Sequence, residues 1–174
     1  MSSLAWLIPA RSHDWAVGNY YKEQTIIAIV DDDESVCHAI KRLVRSLGMG
    51  ANTFASGQEF IDFIEAMPSQ RFDCVILDVQ MPGLNGLDVQ DRLKKRGNRL
   101  PIIFISAHDE ANVRERALAA GAAAFLNKPF NAELLIKALR AAVKLSSSKG
   151  GRSLDQRDRS NSSNRVPPIN SDSR

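Results

Sequence analysis

The sequence predicts an α/β fold: a doubly wound, five-stranded parallel sheet with helices on both faces. Three observations carry this. Between Thr25 and Leu145, short β-branched apolar runs alternate with segments of helical periodicity, as they do when each strand is followed by a covering helix. Four of the five strand candidates are nearly continuous apolar runs, as strands buried on both faces must be. Polar residues able to do chemistry fall directly after strands, where an open parallel sheet forms its functional crevice.

The first strand candidate is Ile26-Ile27-Ala28-Ile29-Val30. After it, Val36, Ile40, Leu43, Val44 and Leu47 share one helical face, which predicts a core-facing helix stopped by Gly48. The second strand, Ala51-Asn52-Thr53-Phe54, is partly polar and so predicts a sheet edge. Ser56-Gly57-Gln58-Glu59 has the spacing of a capping box, in which serine and glutamate each satisfy a free backbone amide, and opens the second helix. Cys74-Val75-Ile76-Leu77 is the third strand, and Gly97 marks the end of the helix after it. Ile102-Ile103-Phe104-Ile105 and Ala123-Ala124-Phe125-Leu126 are the fourth and fifth strands. Asn131 is placed to cap a last helix carrying Leu134, Leu135, Ala138, Leu139, Ala142 and Val143.

The chain therefore divides into an extension over residues 1–24, a domain over residues 25–145 and a tail over residues 146–174. The extension contains Trp6, Trp15, Tyr20 and Tyr21 without a usable period. The tail is Ser-, Arg-, Asn- and Pro-rich with few apolar residues to repay the entropy of ordering, which predicts disorder. A chain of 174 residues, 44% hydrophobic and 25% charged, suits one domain with flanks.

The net charge of +3 comes entirely from the tail, with its six Lys/Arg and three Asp, so the domain itself gives no reason to expect direct DNA binding. The tail's basic residues lack interleaved aromatics and read as solvated linker. Cys37 and Cys74 sit in apolar patterns without metal-ligand spacing, which predicts reduced packing residues in a cytoplasmic protein. The Leu4–Ile8 run is too short to span a bilayer and lacks a basic leader, so no membrane association is expected. His38 and His108 have no partners at metal or triad spacing.

Asp31 and Asp32 follow the first strand, Asp78 ends the third, Ser106 ends the fourth and Lys128 follows the fifth, so these groups converge on one rim. Clustered carboxylates repel, and a hard cation such as Mg²⁺ relieves the repulsion. A carboxylate can attack phosphorus to form an aspartyl phosphate, with lysine and metal neutralising the transferring group. The bland alternatives are helix capping for the acidic pair, most apt for Asp33, and an Asx turn for Asp78.

Val30-Asp31-Asp32, Asp78-Val79-Gln80-Met81-Pro82-Gly83 with Gly86, Ser106-Ala107 and Lys128-Pro129-Phe130 together resemble the receiver domain of two-component response regulators (CheY-like superfamily), nearest to receivers of the FixJ type. The resemblance implies a flavodoxin-like sheet of order 2-1-3-4-5. It also implies that Asp78 accepts a phosphoryl group and that Asp31 (through water), Asp32, Asp78 and the Gln80 backbone carbonyl hold Mg²⁺. Lys128 is then the partner of the phosphoryl oxygens, Lys128-Pro129 a cis peptide, Ser106 the donor that senses phosphate, and Phe125 the aromatic that moves with it. The implied partners are a histidine kinase or phosphotransfer protein and, through the face of the fourth helix, fifth strand and fifth helix, a downstream protein or a second copy. The chain is then a phosphoacceptor and not an enzyme.

Two rivals remain. A phosphohydrolase of the haloacid-dehalogenase kind also uses an aspartyl phosphate, and Asp31-Asp32-Asp33 offers its D-x-D spacing, though without its cap or its following motif. A truncated or phosphate-independent scaffold is the other, and its usual mark, loss of an acidic residue or the lysine, is absent.

Overall fold

The computed structural model describes residues 25–107 and 111–150, the last three by backbone alone. Five strands, β1 (Ile26–Val30), β2 (Gly50–Phe54), β3 (Cys74–Asp78), β4 (Ile102–Ser106) and β5 (Ala124–Asn127), alternate with five helices. The helices are α1 (Glu34–Ser46), α2 (Gly57–Ala66), α3 (Gly86–Lys95), α4 (Ala111–Ala119) and α5 (Ala132–Gly150). All strands pair parallel in the order β2-β1-β3-β4-β5, so the doubly wound fold and its order are as expected. The partly polar β2 takes a sheet edge.

Each face of the sheet has its own core. Ala28, Val30, Val75, Leu77, Phe104 and Phe125 face α2, α3 and α4, where Phe60, Ile61, Val89, Leu93 and Ala117 cover them. Ile27, Ile29, Ile76, Ile103 and Ile105 face α1 and α5, under Cys37, Ile40, Val44, Leu135, Leu139 and Ala142. Every β3 and β4 residue is buried, as the continuous apolar runs required.

The local signals act as read. Ser56 Oγ accepts from the Glu59 amide at 3.1 Å while Glu59 reaches back to the Ala55 amide at 2.7 Å. Gly48 and Gly97 end their helices at φ +78° and +70°, a conformation other side chains resist. Asn131 Oδ1 accepts from the Glu133 and Leu134 amides at 2.6 and 3.2 Å.

Three boundaries differ, the first being that β2 starts one residue early at Gly50. β5 lies one residue later than expected, because Asn127 pairs with Ser106 while Ala123 serves only as the entry. α5 runs through Gly150, five residues past the expected domain end at Leu145. Extending a formed helix needs only one hydrogen bond per residue fixed, and Ser147 Oγ adds a bond to the Val143 carbonyl at 3.1 Å. The aromatics of residues 1–24, His108 and the tail beyond Gly150 lie outside the described residues.

Candidate functional site

The three acidic residues and the lysine meet at the carboxyl ends of β1, β3 and β5. Asp31 and Asp78 are buried at 1% and 4% exposure, whereas Asp32 is exposed. Lys128 Nζ bridges the buried pair, 2.7 Å from Asp31 Oδ2 and 2.8 Å from Asp78 Oδ1. The remaining carboxylate oxygens are held by backbone: Asp31 Oδ1 accepts from the Asp33 amide at 2.9 Å, and Asp78 Oδ2 from the Gln80 amide at 2.8 Å. Gln80 is thus tied to the site through its amide, and its side chain is exposed.

Burial pushes the Asp78 carboxyl above the usual carboxylate value, and the bond and charge of Lys128 only partly pull it back. For Lys128, burial opposes the charge, but the bonds to Asp31 and Asp78 outweigh it and raise its pKa. The lysine remains a cation and the pair is locked to it.

Asp31, Asp32 and Asp78 can each offer one oxygen, and these oxygens lie within 4.8 Å of one another. This all-oxygen donor set, buried on one side and open at Asp32, fits a hard divalent cation that keeps waters. Asp33 is set apart from the cluster: its side chain caps α1 by accepting from the Ser35 and Val36 amides, and its pKa is lowered chiefly by the Ser35 hydroxyl.

Gly86, first residue of α3, has no room for a Cβ, which would collide with the Asp78 carbonyl oxygen. The backbone of α3 therefore presses on the strand end that carries Asp78. Lys128-Pro129 is cis, as the resemblance implied. Ser106 is buried at the end of β4. Phe125 is already turned inward, 4% exposed, with its ring 6.1 Å from that of Phe104 and the Arg114 guanidinium 5.7 Å from its centroid. Arg114 was not legible in the sequence, since nothing in its spacing marks a residue of α4 as neighbour to β5.

The family model for the response regulator receiver domain matches residues 27–140. The chain belongs to that family. Response regulator protein TodT of Pseudomonas putida is 44% identical over 121 residues, covering 70% of this chain and 52% of that protein. The transcriptional regulatory protein FixJ of Bradyrhizobium diazoefficiens is 33% identical over 118 residues, covering 68% and 56%. The crystal structure of a response regulator receiver protein from Burkholderia phymatum is 56% identical, with a TM-score of 0.63 over 70% of this chain and 96% of that one. This receiver spans about half the length of the curated relatives it matches. It is a two-component signalling domain of CheY-like fold.

Proposed function

We propose that this receiver accepts a phosphoryl group on Asp78 from a histidine kinase or phosphotransfer protein and reports it to a protein partner. The observation that carries the reading is the bridge from Lys128 to both Asp78 and Asp31, beside three carboxylate oxygens within 4.8 Å. Asp31, Asp32, Asp78 and the Gln80 carbonyl are the residues to hold Mg²⁺. Bound there, the ion supplies charge neutralisation for the phosphoryl oxygens.

An Asp78 carboxylate oxygen forms the new bond to phosphorus as the donor's bond to phosphorus breaks, and the donor leaves with that electron pair. Burial has made this carboxylate more basic than a solvated one and so a better nucleophile. Lys128, fixed between Asp31 and Asp78, is placed to pair with the incoming anionic oxygens. Ser106, at the end of the neighbouring strand, is the residue to donate its hydroxyl to a phosphoryl oxygen and so to sense it.

The face of α4, β5 and α5 is the surface to carry the signal, to a downstream protein or a second copy of the chain. The folded domain is not expected to bind DNA. Cytoplasmic action is supported by two buried free thiols, and among the described residues no helix is long and apolar enough to cross a membrane.

The test is phosphorylation by acetyl phosphate with Mg²⁺, read by intact mass. Wild type should gain one phosphoryl group and Asp78→Asn none; equal labelling of the two would falsify the assignment. Turnover of a generic phosphatase substrate is expected to be absent, and sustained turnover would favour the phosphohydrolase reading.

A further inference from the structure

Gln90 on α3 is a polar side chain in the interior, 4% exposed. Its side-chain amide donates to the Ala117 carbonyl of α4 at 3.2 Å. The same carbonyl accepts from the Ala122 amide at 3.0 Å, in the turn that ends α4 with Gly121 at φ +98°. One such bond already satisfies a buried carbonyl. The glutamine is therefore not needed to end the helix, and a leucine would fill the same space without burying an amide.

The two helices that Gln90 joins are held very differently. In α3, Val89 and Leu93 are buried, and Gly86, one turn before Gln90 on the same side, presses on the Asp78 carbonyl. In α4, Ala117 is the one buried residue among those described. The first two turns of α4 meet the domain through half-buried Val113 and through the Arg114 guanidinium over Phe125. A firm helix thus carries a loosely seated one, tied to it at the last turn.

We propose that Gln90 is a positioning residue that pins the last turn of α4 to α3, so that α4 answers events at the acidic site by swinging its first two turns about that fixed end. A hydrogen bond suits a pin because it fixes direction, whereas apolar contact is non-directional and tolerates sliding. The swing carries Arg114 across Phe125 and reshapes the surface beside β5, while Ala117, Gly121 and Ala122 keep their places. The swing rests on the phosphoacceptor reading above; the pin does not.

Residue-resolved hydrogen exchange of the full chain tests it, on wild type and Gln90→Leu, free and with Mg²⁺ and beryllofluoride as a mimic of the phosphoryl group. In wild type, beryllofluoride should change exchange by roughly fivefold or more at the Glu115 and Arg116 amides, which report the first turns of α4, and leave Ala120, Gly121 and Ala122 near their free values. Gln90→Leu keeps the bond from the Ala122 amide to Ala117 and should melt close to wild type. Its Ala120, Gly121 and Ala122 amides should nonetheless exchange roughly fivefold faster in the free protein, as for one lost hydrogen bond, and the beryllofluoride response should spread to them. Exchange equal to wild type at these three amides overturns the proposal, as does a wild-type response as large there as at Glu115 and Arg116. Faster exchange across β1 and β3 as well would mark a general loosening and overturn it too. Gln90→Met, unbranched like glutamine, replaces the leucine variant if that fails to fold. Failure of wild type to bind beryllofluoride, or binding retained by Asp78→Asn, refutes the phosphoacceptor reading instead, and exchange in the free protein then decides the pin alone.

Discussion

Burial tunes several of the side chains here. Cys37 and Cys74 show it without the complication of chemistry: both are free and buried. Desolvation is the main cause that pushes the Cys37 thiol from an ordinary 9.0 up to about 11, and it pushes Cys74 up as well. The linkage sign follows. The folded state favours the protonated thiol, so its contribution is intact below the unfolded value near pH 9 and is lost as pH rises toward 11. Denaturant melts of wild type should thus lose stability over that window, and Cys37→Ala should show a shallower decline; identical slopes would mean that the thiol stays as acidic in the fold as in the open chain. Lys128 makes a stronger case because its two carboxylate partners are buried. Lys128→Met leaves both carboxylates unpaired, and removing one partner of a buried ion pair costs about 3–5 kcal/mol. The variant should melt earlier and label poorly with acetyl phosphate. Normal labelling would show that the lysine does not assist transfer.

Elements place those side chains, and how far they were legible depends on how local their cause is. The four apolar strands, the Ser56 capping box and the Gly48 and Gly97 stops each follow from a few adjacent residues, and each is present. The rim was legible as well, since a doubly wound sheet puts Asp31, Asp78 and Lys128 at one end whatever the loops do. The end of α5 was not, because polar Ser146 and Ser147 carry no stop signal and an existing helix extends through them. Arg114 also escaped: its partner Phe125 lies on another element, and only the seat of α4 on β5 brings them together. Gly86 lies between these cases. It belongs to a recognisable motif, but its physical reason, the Asp78 carbonyl against its missing Cβ, is tertiary. Gly86→Ala must push α3 away from β3, an overpacking cost of about 1–3 kcal/mol. We expect a lower melting temperature together with slower labelling of Asp78, and a variant that loses stability alone would show that α3 does not position the nucleophile.

On the phosphoacceptor reading, the whole molecule has to convert a local charge into a changed surface, and its layers suggest how. Residues beyond Gly150 add few apolar groups, so a chain cut there should keep its melting temperature within about 2 °C; a larger drop would mean that they dock on the domain. The moving part is better sought in α4, which buries only Ala117 among its described residues and is joined to α3 by the Gln90 side chain donating to the Ala117 carbonyl at 3.2 Å. Phe125 lies beneath it and is already inward, so this conformation leaves no outward ring for phosphate to draw in. On that reading a phosphoryl group acts by favouring one arrangement of α4 and β5 over others, and it can shift that balance only by its differential contacts, a coupling of about 1–3 kcal/mol. Ser106 is the residue proposed above to make such a contact. Ser106→Ala retains Asp78, the acidic pair and Lys128, so it should still be labelled by acetyl phosphate. It should nonetheless lose most of the beryllofluoride-dependent change in hydrogen exchange across α4, β5 and α5. A mutant whose exchange pattern responds as fully as wild type would remove Ser106 from the coupling and leave the α3 contact with Asp78 as the route.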